Sequence, residues 1–331
     1  MSKTAWEVPS LGTAKAADGF VEKNECSDGV HRKGENGVQH ILATGDGKIE
    51  LIVFENHTMA WVNSDMGSPA WYPVRSIKLE YPIKAVLMDL DGTTVHSEEF
   101  WIWIIQKTMC SVLKDESFEL ADEDIPFVSG HSVSEHLQYC LKKYAPAASL
   151  QKARAFYTEH TQREMDAIME GRGKPGAFTP ATGIKEFLLA LKEMNVKIGL
   201  VTSGLYRKAW PEILSAFDTL GLGDPAQFYD CIITAGQPLG EGTAGTLGEL
   251  EAKPHPWLYA EVARIGLGIP PEENAHVIGI EDSGAGVCAV RLAGYYTVGI
   301  ASGNIIQSGT RGLCSTYCNN FEEILRLIKG E

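Results

Sequence analysis

The chain has 331 residues, 44% of them hydrophobic, and a formal net charge of -14. That length predicts about two domains with a sizeable core, and the acidic balance argues against a nucleic-acid partner, which needs clustered Lys and Arg. No apolar run reaches the roughly 18 residues of a membrane helix, and Met1 to Glu7 lack the apolar stretch of a secretory signal, so a cytoplasmic protein with no membrane partner is expected. Seven cysteines, an odd number, fit reduced thiols better than a disulfide framework. Cys314 and Cys318 lack the second pair or histidines that a zinc site needs.

Residues 1–36 are polar and glycine-bearing without clear periodicity, and are expected to be partly mobile. Residues 37–82 read as a small β-rich module. In it Lys48–Phe54 and Thr58–Val62 are strands joined across Glu55-Asn56-His57, and Val74–Glu80 alternates like a third. Next, the apolar run Lys84-Ala85-Val86-Leu87-Met88 empties into Asp89-Leu90-Asp91-Gly92-Thr93-Thr94. A helical stretch over residues 96–180 follows, broken near Ile125-Pro126 and Ala145-Pro146 and ended by the linker Gly171–Gly176.

From Thr182 onward helix and strand alternate. Helices are predicted at Ile184–Met194, Pro211–Leu220, Trp257–Ile265, Ser283–Ala293 and Phe321–Lys329, with strands at Lys197–Val201, Asp230–Thr234, His276–Ile280 and Tyr296–Ile300. This alternation predicts an α/β fold, a doubly wound parallel sheet covered by helices on both faces. The strand near Ile83 belongs to it. The core is then residues 83–95 and 181–331, with residues 96–180 inserted into it.

Open parallel sheets bind ligands at the carboxyl ends of their strands. Asp89 and Asp91, two apart, share one face if the strand continues; the alternative is a loop in which aspartates cap a turn. Three further clusters lie at the same edge. Thr202-Ser203 follows one strand, Glu281-Asp282-Ser283 follows another, and Lys253 stands in a loop just before a helix. Gathered in one cleft, Asp89, Asp91, Glu281 and Asp282 repel one another. Mg²⁺ relieves that repulsion with one or two carboxylates plus substrate phosphate and water. One carboxylate can then attack phosphorus while a second serves as acid and base, and Thr202 and Lys253 hold the phosphoryl oxygens.

These four segments, in order and suitably spaced, resemble the motifs of the haloacid dehalogenase (HAD) superfamily, and most of all its β-phosphoglucomutase-like and sugar-phosphate phosphatase members. The resemblance covers Ile83–Val95 and the chain from about Thr182 to the C-terminus. It implies a HAD-like Rossmannoid core, a helical cap, Mg²⁺ and an aspartyl-phosphate intermediate. It further implies that Asp89 is the nucleophile, Asp91 the general acid/base and a metal ligand through its backbone carbonyl, Thr202 the phosphate-binding hydroxyl, and Lys253 the phosphate-bridging cation. Asp89, Glu281 and Asp282 are then metal carboxylates. Ser203, Gly204 and Arg207 beside Thr202, with His131 in the cap, are expected substrate contacts. Asp91 favours phosphate esters, because members that cleave haloacids or phosphonates lack this second acid. Trp101 stands where mutase-like members carry a histidine at the base of the cap, and His96 where an aspartate is common.

The expected activity is therefore hydrolysis of a small phosphate monoester, a sugar or polyol phosphate. The alternatives are a hexose-phosphate mutase, or a non-catalytic binding protein on the same scaffold. Residues 38–80 have no counterpart in the resemblance and leave room for a homo-oligomer or a partner contact, for which Trp61 and Trp71 are either surface or core. Gly284-Ala285-Gly286-Val287-Cys288-Ala289 satisfies a dinucleotide-binding pattern only formally, since Glu281-Asp282-Ser283 separates it from the strand; close helix packing explains the glycines better. His131 and His136 are off register for a shared metal, and Gly130-His131-Ser132 lies where many caps present a specificity loop. Phe100, Trp101 and Trp103 pack a cap core or line a pocket. Arg207 and Lys208 meet an anion or begin a solvated helix. The glycine-rich loop 236–251 borders the expected site.

Overall fold

The computed structural model describes residues 5–63, 68–127, 133–174, 176–235 and 251–331. They form two compact units, one comprising Met1–Thr94, Thr182–Tyr206 and Asp224–Glu331, the other Val95–Ala181 and Arg207–Gly223.

In the first unit, β1 (Ala5–Val8) and β2 (Gly12–Lys15) form a hairpin, and β3 (Val21–Lys23), β4 (His40–Ala43), β5 (Ile49–Val53), β6 (Thr58–Val62) and β7 (Ala70–Pro73) form an antiparallel sheet in that order. Residues 5–23 thus carry strands although they show no periodicity, because each is only three or four residues long and together they bury few side chains, namely Trp6, Val8 and Ala14. The edge strand lies at Ala70–Pro73 and not at Val74–Glu80 as the alternation predicts. Pro73 has no N–H for the ladder. Beyond it the chain stays extended but leaves the sheet, and Glu80 N–H donates to Ala275 O at 2.8 Å. Period-two patterning marks extended backbone, whether or not a neighbouring strand is present.

β8 (Ala85–Asp89) opens the parallel sheet, and its five residues are buried. The second unit follows, with β9 (Val95–His96), α1 (Glu98–Leu113), α2 (Val133–Tyr144), α3 (Leu150–Met169) and β10 (Thr179–Pro180), where β9 and β10 pair antiparallel. Phe100 is buried there against Trp101, Trp103 and Phe178, so these aromatics pack the cap interior. The chain then runs through α4 (Ile184–Glu193), β11 (Lys197–Val201), α5 (Tyr206–Leu220), α6 (Pro225–Phe228), β12 (Cys231–Ile233), α7 (Trp257–Glu261), β13 (Val277–Glu281), α8 (Gly284–Ala293), β14 (Tyr296–Ile300), β15 (Thr316–Cys318) and α9 (Phe321–Lys329). From Arg207 to Gly223 α5 clusters with the cap.

The parallel strands stand in the order β12-β11-β8-β13-β14-β15. Succession runs outward from β8 in one direction and from β13 in the other, which is the doubly wound arrangement, with its switch point between these two strands. Apart from Arg291, α8 carries only glycine and apolar residues, as helices buried between layers do. Ala289, Val290 and Ala293 join the cluster of Leu87, Tyr259 and Val277. Val287, Cys288 and Leu292 join Trp6, Phe20, Leu42, Leu51 and Ala60 of the N-terminal strands. Full burial of each such large side chain contributes about 1.5–3 kcal/mol. Arg291 on the same helix is buried and donates through Nη2 to Ser10 O at 2.6 Å and Arg75 O at 3.4 Å. Among the described residues no helix is long and apolar enough to cross a membrane.

Candidate active site

Asp89 closes β8 and Glu281 closes the adjacent β13, so the two carboxylates flank the crevice that a switch point opens. Asp282 follows directly. Oxygens of Asp89, Glu281 and Asp282 lie within 4.8 Å of one another, and all three residues are buried. The chain turns sharply after Asp89. Thr94 Oγ1 donates to Asp89 O at 2.5 Å, and Thr94 N–H to Leu90 O at 3.0 Å. Asp91 is half-buried, Thr202 Oγ1 donates to its Oδ2 at 3.4 Å, and its charge also bears on Asp89. The three clustered carboxylates are those of Asp89, Glu281 and Asp282.

Thr202 is held by Gly204 N–H, which donates to Oγ1 at 2.9 Å. Ser203 Oγ accepts from Lys253 N–H at 3.1 Å and so ties the lysine loop to the end of β11. Lys253 Nζ donates to Asp89, stands 2.6 Å from Glu281 Oε1, and is 3.5 Å from Val201 O. Its ammonium also lies 5.3 Å from the centroid of the buried Tyr259 ring. Arg207 begins the part of α5 that belongs to the other unit. His131 and most of the glycine-rich loop, residues 236–250, fall outside the described residues.

Several residues without an expected role complete the constellation. Thr93 Oγ1 donates to Asp282 Oδ1 at 3.2 Å, Tyr259 Oη donates to Glu281 Oε1, and Ser283 Oγ donates to Glu281 Oε2 at 3.2 Å. Gly92, Gly286 and Gly303 leave the room the carboxylates occupy, since a Cβ on each would fall 1.9–2.2 Å from Asp282 or Glu281. Gly92, Thr93 and Ser283 stand inside the motif segments of the sequence, and Gly286 among the glycines read as close packing; Tyr259 and Gly303 carried no such signal.

The electrostatics follow from burial. Loss of water, then the neighbouring Glu281 charge, pushes Asp89 well above the usual carboxylate range and Asp282 to about 8. Burial alone pulls Lys253 down, but the carboxylates of Asp89 and Glu281 outweigh it and keep the amine charged. Three carboxylates thus face a single ammonium. A hard dication with oxygen ligands suits this donor set, and Asp89, Glu281 and Asp282 are the residues that can hold it.

Comparison with known proteins agrees with this geometry. The haloacid dehalogenase-like hydrolase family matches residues 83–294. Pyrophosphatase PpaX of Listeria monocytogenes is 30% identical over 124 residues, 38% of this chain and 50% of that protein. The chain thus spans about half the length of the first curated relatives it matches. Validoxylamine A 7'-phosphate phosphatase of Streptomyces hygroscopicus subsp. limoneus is 29% identical over 231 residues, 66% of this chain and 86% of the other. In fold, the crystal structure of a predicted phosphoglycolate phosphatase from Haemophilus somnus superposes with a TM-score of 0.55 at 18% identity, covering 74% of this chain and 98% of that one. With a doubly wound core, a helical insertion after its first strand, and acid, threonine and lysine motifs at four neighbouring loops, this chain belongs to the haloacid dehalogenase-like hydrolases.

Proposed function

We propose that the chain is a Mg²⁺-dependent phosphatase that hydrolyses a small phosphate monoester, a sugar or polyol phosphate, through an aspartyl-phosphate on Asp89. The observation that carries the reading is the buried trio Asp89, Glu281 and Asp282 beside Lys253 and Thr202. A carboxylate oxygen of Asp89 attacks phosphorus in line as the ester P–O bond breaks, and Asp91 gives its proton to the departing alkoxide. Asp91 then takes a proton from water as that water attacks the phosphoaspartate, returning Asp89 and releasing phosphate. Lys253 and the Thr202 hydroxyl hold the equatorial oxygens through both steps. Bound Mg²⁺ supplies charge neutralisation at the phosphoryl oxygens. The Thr202 hydroxyl on its Oδ2 supports a role for Asp91 separate from that of the nucleophile.

The similarity to a phosphatase named for validoxylamine A 7'-phosphate supports a phosphorylated polyol or sugar as substrate. Trp101, in place of the cap-base histidine of mutase-like members, supports hydrolysis over phosphoryl return to a second hydroxyl.

The test is a panel of phosphate monoesters assayed with the full chain in Mg²⁺ and in chelator. Asp89→Asn should abolish turnover, and Asp91→Asn should lower it by roughly 10²–10⁴-fold. Wild-type rates in Asp89→Asn would overturn the mechanism, and no Mg²⁺-dependent hydrolysis of any ester would return the chain to the non-catalytic reading.

A further inference from the structure

Lys253 does its work at the end of a flexible side chain, so its backbone must be fixed. One tether is the Lys253 N–H bond to Ser203 Oγ at 3.1 Å. Another is the turn that His255 N–H closes onto Ala252 O at 3.1 Å. His255 is itself 1% exposed, and its ring contacts the N-terminal sheet, where Tyr72 Oη on β7 and His255 Nδ1 share a hydrogen bond of 2.8 Å. The Nε2 atom on the other side of the ring is buried without a partner, so among the described residues Tyr72 is the polar anchor of that imidazole. The Tyr72 ring also meets His255 edge-on at 5.8 Å and Trp257 at 6.3 Å. Just before β7, Ser68 N–H donates to Glu251 Oε1 at 3.2 Å. β7 and the segment leading into it therefore grip the lysine loop on both sides of Lys253.

We propose that Tyr72 is a positioning residue for Lys253, acting through His255, and that the N-terminal sheet is thereby a working part of the active site. The inference rests on reading Lys253 as the phosphate-holding cation. Neighbouring residues on β7 face opposite ways. Trp71, which packs on Trp61 and is 47% exposed, is thus on the outer face of the same strand and controls for general disturbance of the sheet.

Two measurements on the full chain test the proposal. The first needs no turnover. Acetic anhydride labelling read by peptide mass spectrometry should acetylate Lys253 about tenfold faster in Tyr72→Phe than in wild type, relative to the exposed Lys197. The melting temperature should be unchanged, and Trp71→Phe should leave Lys253 protected. The second is kinetic. With p-nitrophenyl phosphate and Mg²⁺, Tyr72→Phe should lower kcat roughly tenfold, since a displacement of order 1 Å can cost about 10²-fold. His255→Asn, whose amide can occupy the position of Nδ1, should retain most of the wild-type rate. In a Lys253→Arg background the further loss on Tyr72→Phe should vanish. Unchanged Lys253 labelling in Tyr72→Phe overturns the proposal, as does a kcat loss that persists undiminished in the Lys253→Arg background. A loosened Lys253 in a chain that hydrolyses no ester would sustain the positioning role and overturn the phosphatase reading instead.

Discussion

Gly92 has φ +86°, and a Cβ there would stand 2.1 Å from Asp282 Oδ2. An alanine must accept a left-handed backbone, at about 1–2 kcal/mol, and must also drive Asp282 out of the trio. Gly92→Ala should therefore cost at least about 10²-fold in activity while the fold survives; near-normal kcat with normal Mg²⁺ dependence would show that Asp282 is not held by this close approach. The charge state of Asp282 makes a second prediction. Its carboxyl titrates near 8 in the fold against 3.8 ordinarily, so the folded chain keeps a proton that the unfolded chain has released. Stability in chelator should accordingly fall as pH rises from about 4 towards 8. A bound dication expels that proton, so Mg²⁺ should raise the melting temperature more at pH 8 than at pH 5.5. Equal Mg²⁺ shifts at the two pH values, read by thermal melts, would contradict the proton linkage. At this scale the sequence was most legible where chemistry sits at strand ends. Asp89, Glu281 and Asp282 could be placed because a buried run stops just before them. Thr93, Tyr259 and Gly303 could not, because their partner is chosen by how distant strands lie side by side.

Among elements, β11, β14, α8 and α9 stand where periodicity puts them; in the structure Ser283 and Asn320 accept from the first-turn amides of α8 and α9, and Gly294 and Gly330 close them in the left-handed region. The edge strand β7 was displaced because alternation reports an extended chain without naming its neighbour. In the cap, one polar residue ties several others together beside the apolar cluster of Ile105, Met109 and Leu137. The fully buried Asp124 accepts from Tyr139 Oη at 2.7 Å, from Lys143 Nζ at 2.6 Å and from Tyr144 Oη. Burial alone would raise its pKa, but these hydrogen bonds prevail and leave it near 2. The stabilisation is thus present above about 4 and is lost as pH falls towards 2. Asp124→Asn should destabilise the cap by roughly 1–3 kcal/mol at neutral pH. Faster proteolysis within residues 98–169, with an unchanged rate of cleavage elsewhere, is the expected readout, and wild-type resistance would count against it.

For the molecule as a whole, the parallel core was readable from the alternation of its elements, whereas the attachment of the N-terminal strands to that core was not. Leu42 and Leu51 on one side and Val287 and Leu292 on the other are ordinary apolar residues, and no local pattern says that they meet. Because they share one cluster, deletion of residues 1–80 should uncover Val287, Cys288, Leu292, Ile305 and Leu313 together. The truncated protein should aggregate or melt well below the full chain, by sedimentation and circular dichroism. A soluble monomer with the full-length melting temperature would mean that the core closes without those strands.

The double burial of α8 also sets an order of events during synthesis. The strands up to Val62 leave the ribosome with one apolar face that still lacks α8 to complete its cover. At ~5–20 residues per second, Val287 and Leu292 emerge only after a delay on the order of tens of seconds. The fold thus begins at its N-terminus and is sealed from its C-terminal third, a pairing of high sequence separation that is intrinsically slow. A nascent chain stalled before Gly284 would present a β-sheet without its covering helix to whatever binds exposed apolar surface, and chaperone demand in this protein should drop once α8 has been made.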